Sequence, residues 1–145
     1  MSTQTSPALA EYPTRYYAAW NGRDIAALEK IVAPEFSWID PLLPAELTEY
    51  EGARQFFQGA WQGFPDIAFE PIGEPLVDEA GGRVAGEWRM TGTHTGENFP
   101  PGAPATGKPF DVKGTDVWTI GEDGRATAIR AYYDSATLAR QLGLA

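Results

Sequence analysis

The chain has no cysteine and a single histidine among its 145 residues. The first absence excludes disulfides, thiolate metal sites and cysteine nucleophiles, and the second excludes a histidine-rich metal centre. Cationic residues are also scarce, with eleven Lys and Arg against twenty Asp and Glu and a net charge of -9. That balance argues against nucleic acid and against anionic membrane surfaces as partners. No apolar run approaches the roughly 20 residues of a membrane span. The polar start from Met1 to Ser6 lacks the basic and apolar regions of a signal peptide. The expectation is a soluble, cytoplasmic protein with no membrane partner, acting on or binding a hydrophobic or weakly polar small molecule. Glu46, Glu49 and Glu51 read as solvated surface, no metal-ligand spacing emerges, and no cofactor is expected.

What the chain does have is aromatic surface: five Trp, seven Phe and six Tyr, enough to line either a core or a cavity. Its length suits one domain, placed at residues 8–145 behind a flexible stretch at 1–7. Leu9, Tyr12, Tyr16 and Trp20 recur at helical steps, with Pro13 as either a kink or a start, and Asn21-Gly22 closes this first helix. Asp24 caps a second helix whose inward face is Ile25, Leu28, Ile31 and Val32, stopped by Ala33-Pro34. A third helix begins near Gly52 and offers Phe56, Phe57, Ala60, Trp61 and Phe64 for burial.

From Ile67 the pattern turns extended, with strands expected at about 67 to 77, 83 to 94, 110 to 120 and 125 to 134, and a short helix from Ser135 to Leu142. Helices first and strands afterwards indicate an α+β fold: a curved antiparallel sheet wrapped around the N-terminal helices, with a cone-shaped internal cavity. Strand alternation places Trp88 and His94 on the apolar side of the second long strand, Asp116 and Trp118 on that of the third, and Tyr133 inward on the last. Asp134 reads as a helix cap.

The stretch that carries most chemistry is Phe36-Ser37-Trp38-Ile39-Asp40-Pro41. Phe36 and Trp38 share one side and Asp40 follows them, so its carboxylate is aimed at an aromatic pocket and is a candidate base. Pro41 forces the chain out of the sheet there. The plainer alternatives are a solvated aspartate at a strand end, a core tyrosine at Tyr16, a structural carboxylate at Asp116 and a buried, hydrogen-bonded His94.

Three stretches resemble the ketosteroid isomerases of the nuclear-transport-factor-2-like superfamily: Arg15 to Asp24, Asp40-Pro41, and Gly114-Thr115-Asp116-Val117-Trp118 with Arg130-Ala131-Tyr132-Tyr133. Gly92-Thr93-His94-Thr95-Gly96, Pro104 to Lys108 and the ending Gln141-Leu142-Gly143 resemble the SnoaL-like polyketide cyclases of the same superfamily. The resemblance implies a cystatin-like cone, a homodimer, and catalysis by Asp40 as general base with Tyr16 and a protonated Asp116 as oxyanion donors. Trp38, Phe57, Trp88, His94, Trp118 and Tyr133 are then candidate substrate contacts.

The chain also departs from the patterns of the families it resembles. The cyclases carry His-Trp-Asp where it has Ile129-Arg130-Ala131. Some isomerases support the oxyanion tyrosine with a second tyrosine late in the third helix, where Ala60 and Trp61 stand. Limonene-epoxide hydrolases carry an arginine at the position of Gly114. Three activities remain as alternatives: an isomerase moving a proton on a ring-containing carbonyl compound, a cyclase or dehydratase in which His94 shares the acid/base work, and a binding module without catalysis.

Overall fold

A computed structural model describes residues 7–144; residues 1–6, which hold most of the expected flexible start, and residue 145 lie outside the described residues. Helix α1 (Pro7–Gly22) runs unbroken through Pro13, whose missing N–H leaves one carbonyl without its helical partner in the second turn. Its far end is tied to the sheet: the Asn21 amide donates to the Phe69 carbonyl and accepts from the Phe69 N–H, at 3.0 and 2.8 Å.

The expected second helix is shorter than its apolar spacing suggests. Asp24 does cap, accepting from the Ala26 N–H at 3.1 Å, but it caps only a single 3-10 turn (Ile25–Ala27), which leads into α2 (Leu28–Ile31). Val32, Ala33 and Pro34, read from sequence as the end of this helix, instead open strand β1 (Val32–Ile39). Val32 pairs with Ala126, and tertiary pairing of a β-branched residue wins over a weak helical period.

Helix α3 (Tyr50–Gly63) precedes four strands, β2 (Ala68–Asp78), β3 (Arg83–Thr93), β4 (Pro109–Ile120) and β5 (Ala126–Tyr132), and α4 (Ser135–Leu142) is the last element among the described residues. Asp134 caps α4 from both Ala136 and Thr137, as its parity suggested, and thereby ends β5 sooner than expected.

The five strands form one curved sheet in the order β1-β5-β4-β3-β2. Three of its junctions are antiparallel, and β1 joins the edge parallel to β5. Pro34, Pro71 and Pro75 all sit on the two edge strands, where a missing N–H costs no ladder bond inside the sheet. The β1 edge is further covered by its own loop, since Trp38 and Leu47 exchange two backbone hydrogen bonds of 2.9 Å.

The register builds the site. Trp38 pairs with Ile129, Ile129 with Trp118 and Trp118 with Val84, one buried row across four strands. Two residues away lies a second row: Asp116 pairs with Ala131, and Ile39–Arg130 pairing brings Asp40 alongside Ala131 on its other side. The two aspartates therefore lie two strand spacings apart, roughly 9.6 Å between backbones, with only an alanine methyl between them. Aromatic side chains from α1 and α3 cover this face.

Candidate active site

α1 presents Tyr16 and Trp20, one turn apart, towards the second row. With Asp40, Asp116, Trp88 and Tyr133 they border a single hollow, closed on the apolar side by Leu42, Phe56, Phe64, Phe69 and Met90 among others. Its cavity volume is only about 20 Å³. That is space for roughly one water.

Three groups far apart in the chain thus converge. Asp116 is 2% exposed on an otherwise apolar strand face, and the Trp88 indole donates to its Oδ1 at 3.3 Å. Burial pushes the Asp116 carboxyl well above the usual carboxylate range, and the negative charge of Asp40 pushes it further; the Trp88 indole and Tyr16 hydroxyl oppose this only in part. Burial and the Asp40 charge both favour the protonated form of the Asp116 carboxyl, whose Oδ1 accepts the Trp88 N–H. Burial also raises the Tyr16 phenol well above its ordinary value, seconded by Asp116 and opposed by the Trp20 indole beside it. Although near the Tyr16 oxygen, the Trp20 N–H reaches no acceptor in hydrogen-bond geometry among the described residues. It is a buried donor at the hollow's wall.

Asp40 differs. Burial raises its carboxyl too, but the Tyr133 hydroxyl donates to Oδ1 at 2.6 Å and the Leu42 N–H donates to the same oxygen at 2.9 Å, and both lower it. Two donors on Oδ1 fix the carboxylate's orientation and leave Oδ2 without a partner among the described residues. The phenol of Tyr133 is itself pushed up by burial and by Asp40, so it stays protonated and keeps donating.

Of the other contacts expected from sequence, Trp88 and Tyr133 do line the hollow, and Trp38, Phe57 and Trp118 do not. They are fully buried in the core, where Trp38 packs edge-on against Phe57 at 5.6 Å and Trp118 against Tyr16 at 5.0 Å. Parity assigns a face of the sheet, and that face holds both core and cavity wall.

His94 is the clearer correction. It is fully buried but outside the hollow, and both ring nitrogens serve the long loop between β3 and β4: Nε2 lies 2.7 Å from the Phe99 carbonyl, and the Thr106 N–H approaches Nδ1 at 3.4 Å. It fastens the loop and does not line the hollow. Conversely, Trp20, Phe56, Phe69 and Met90 line the hollow without having been singled out for it. Met90 shares Trp88's parity and Trp20 stands one turn beyond Tyr16, so both signals were present. Among the described residues no group of three His, Asp or Glu is placed to hold a metal ion.

The sequence matches the SnoaL-like domain over residues 14–129. No curated protein matches it significantly. Among solved structures it is similar to TsrD from Streptomyces laurentii, with 22% identity, a TM-score of 0.79, and coverage of 98% of this chain and 100% of that one. It is also similar to a candidate polyketide cyclase from Acidithiobacillus ferrooxidans, with 28% identity, a TM-score of 0.75, and 99% and 98% coverage. A protein with a ketosteroid isomerase-like fold from Catenulispora acidiphila, in complex with trimethylamine, matches at 23% identity and a TM-score of 0.75 over 97% of this chain and 96% of that one.

Proposed function

This chain belongs to the SnoaL-like domain family, and we propose that it is a cofactor-independent enzyme that moves a proton next to the carbonyl of a hydrophobic, ring-containing small molecule. The observation that carries this reading is the sharing of one narrow, mostly apolar hollow by Asp40, Tyr16 and Asp116. Asp40 Oδ2 removes the proton alpha to the carbonyl, the electron pair of the broken C–H bond moves into the enolate, and Tyr16 and protonated Asp116 donate hydrogen bonds to the enolate oxygen. Asp40 then returns its proton to a different carbon, which completes an isomerisation with no net change in atoms or charge.

The tuning of the groups supports this division of labour. A carboxyl that burial and a neighbouring charge push towards its neutral form supplies a strong donor, and one whose burial is partly offset by two hydrogen bonds to its ionised form supplies a base. Enone isomerisation, or exchange of alpha protons of a ketone for deuterium, tests the reading. Wild type should exceed Asp40→Asn by about a hundredfold or more, and equal rates would remove Asp40 as the base.

A second reading keeps the same enolate and lets its carbon attack another carbonyl of the substrate, as in an aldol-type cyclisation. Family membership favours it, and Asp40 carries the acid/base work alone, because His94 is committed to the loop. Incubation with a poly-carbonyl substrate separates the two by product. Recovery of the ligand unchanged under both assays would favour the binding module. The outer sheet face, where Tyr132 and Ile39 are exposed beside Thr115 and Val117, suits a homodimer, and sedimentation showing only monomer would refute it.

A further inference from the structure

The hollow is too tight to take a whole substrate, since sites for drug-sized molecules typically offer about 300–1,000 Å³. Leu42 and Phe56 also line a second depression on its outer side, and there the room for water-sized sphere centres is about 490 Å³. This groove runs along α3 between the loop after β1 and the loop after β3. Helical spacing puts Gly52, Gln55, Gly59 and Gln62 on its floor. Two glycines set its walls: a Cβ at position 52 would stand 3.0 Å from Leu47, and one at 59 would stand 3.0 Å from the Phe99 ring.

In a chain of net charge -9, none of the described residues lining this groove is charged. Its polar groups are the amides of Gln55, Gln58, Gln62 and Asn98, which both donate and accept, set among Leu43, Leu47 and Phe99. We infer that the groove binds the body of an elongated, neutral compound with an apolar frame and oxygen substituents, whose reacting carbonyl passes between Leu42 and Phe56 into the hollow. This rests on the catalytic reading above for the role of the reacting end. Charged ligands are disfavoured because they would be desolvated against uncharged walls. The passage opens by side-chain rotation, for the Leu42 N–H is held by Asp40 Oδ1 at 2.9 Å and the Leu43 N–H by the Asp40 carbonyl at 2.9 Å. The backbone cannot retreat without disturbing the base.

The test uses 6-propionyl-2-dimethylaminonaphthalene, a neutral, elongated fluorescent ketone, with methyl-resolved NMR of full-length protein. Groove methyls of Leu42, Leu43 and Leu47 and the hollow methyl of Met90 should shift together on titration. Leu76 and Val117, at a separate depression on the outer sheet face, should stay still. The double variant Gln55→Glu, Gln58→Glu alters two exposed residues and should weaken binding about tenfold. Shifts confined to Leu76 and Val117, or none at the probe's solubility limit, would overturn the groove. Shifts at Leu43 and Leu47 with Met90 silent would overturn the passage. Binding is read without turnover, so the outcomes separate: groove shifts without enolisation activity remove the catalytic reading alone, and activity without groove shifts removes this inference alone.

Discussion

At the scale of single residues, the account turns on two carboxyls with different jobs. The Tyr133 hydroxyl stabilises the ionised form of Asp40, so Tyr133→Phe should raise the Asp40 pKa. The acidic limb of the pH–rate profile should then move to higher pH, and pH-dependent turnover checks the direction; an unmoved limb would detach Tyr133 from the base. Asp116 has a folded pKa raised above its unfolded value of about 3.9. Between those two values the folded state holds a proton that the unfolded state has lost, so the Asp116 contribution makes stability decline as pH rises. The stability difference between wild type and Asp116→Asn should change by about 1.4 kcal/mol per pH unit across that window, in the sense that favours the variant at higher pH. Urea denaturation at several pH values measures it. A difference independent of pH would mean that Asp116 is ionised in the folded protein.

At the scale of elements, the sheet was legible and its edge was not. Alternation along β3, carried one residue past its end, and along β4 placed Trp88, His94, Asp116 and Trp118 inward, and all four are buried. Alternation is a backbone property and survives whatever covers the sheet. The start of β1 was misread because Ile25, Leu28, Ile31 and Val32 fit a helix locally, while the parallel pairing to β5 that decides the matter comes from residues almost a hundred positions away. The loop from His94 to Lys108 shows the same limit: its sequence resembles a cyclase feature, but only the fold shows that His94 bonds the loop itself. His94→Ala should cost about 1–3 kcal/mol by orphaning buried partners. It should leave turnover per folded molecule within a few-fold of wild type, whereas loss of activity in well-folded protein would return His94 to the chemistry. Glycines carry a second kind of element-scale information. A Cβ at position 114 would lie 2.6 Å from the Trp88 ring and 2.8 Å from the Tyr132 carbonyl. Gly114→Ala should therefore destabilise by about 1–3 kcal/mol in urea unfolding, and an unchanged midpoint would mean that the Trp88 ring moves aside freely.

At the scale of the whole molecule, the parallel addition of β1 brings residue 40 to the place that residues 16 and 116 already border. The resemblance of short stretches pointed to those positions, and the register explains why they meet: Asp40 and Asp116 flank the same small residue, Ala131, while α1 crosses above them. The tightness of the hollow and the roomier groove outside it were not legible, because cavity size depends on how Leu42, Phe56 and Phe99 fold over α3 and not on any local pattern. The central claim is that one aspartate stays neutral and the other is ionised in a shared cavity. Carboxyl carbon NMR of protein labelled at aspartate, assigned with Asp40→Asn and Asp116→Asn, measures this directly. Asp116 should keep its proton to higher pH than Asp40, and both should titrate above the ordinary value of about 3.9. Two carboxyls titrating together near that ordinary value would contradict the account.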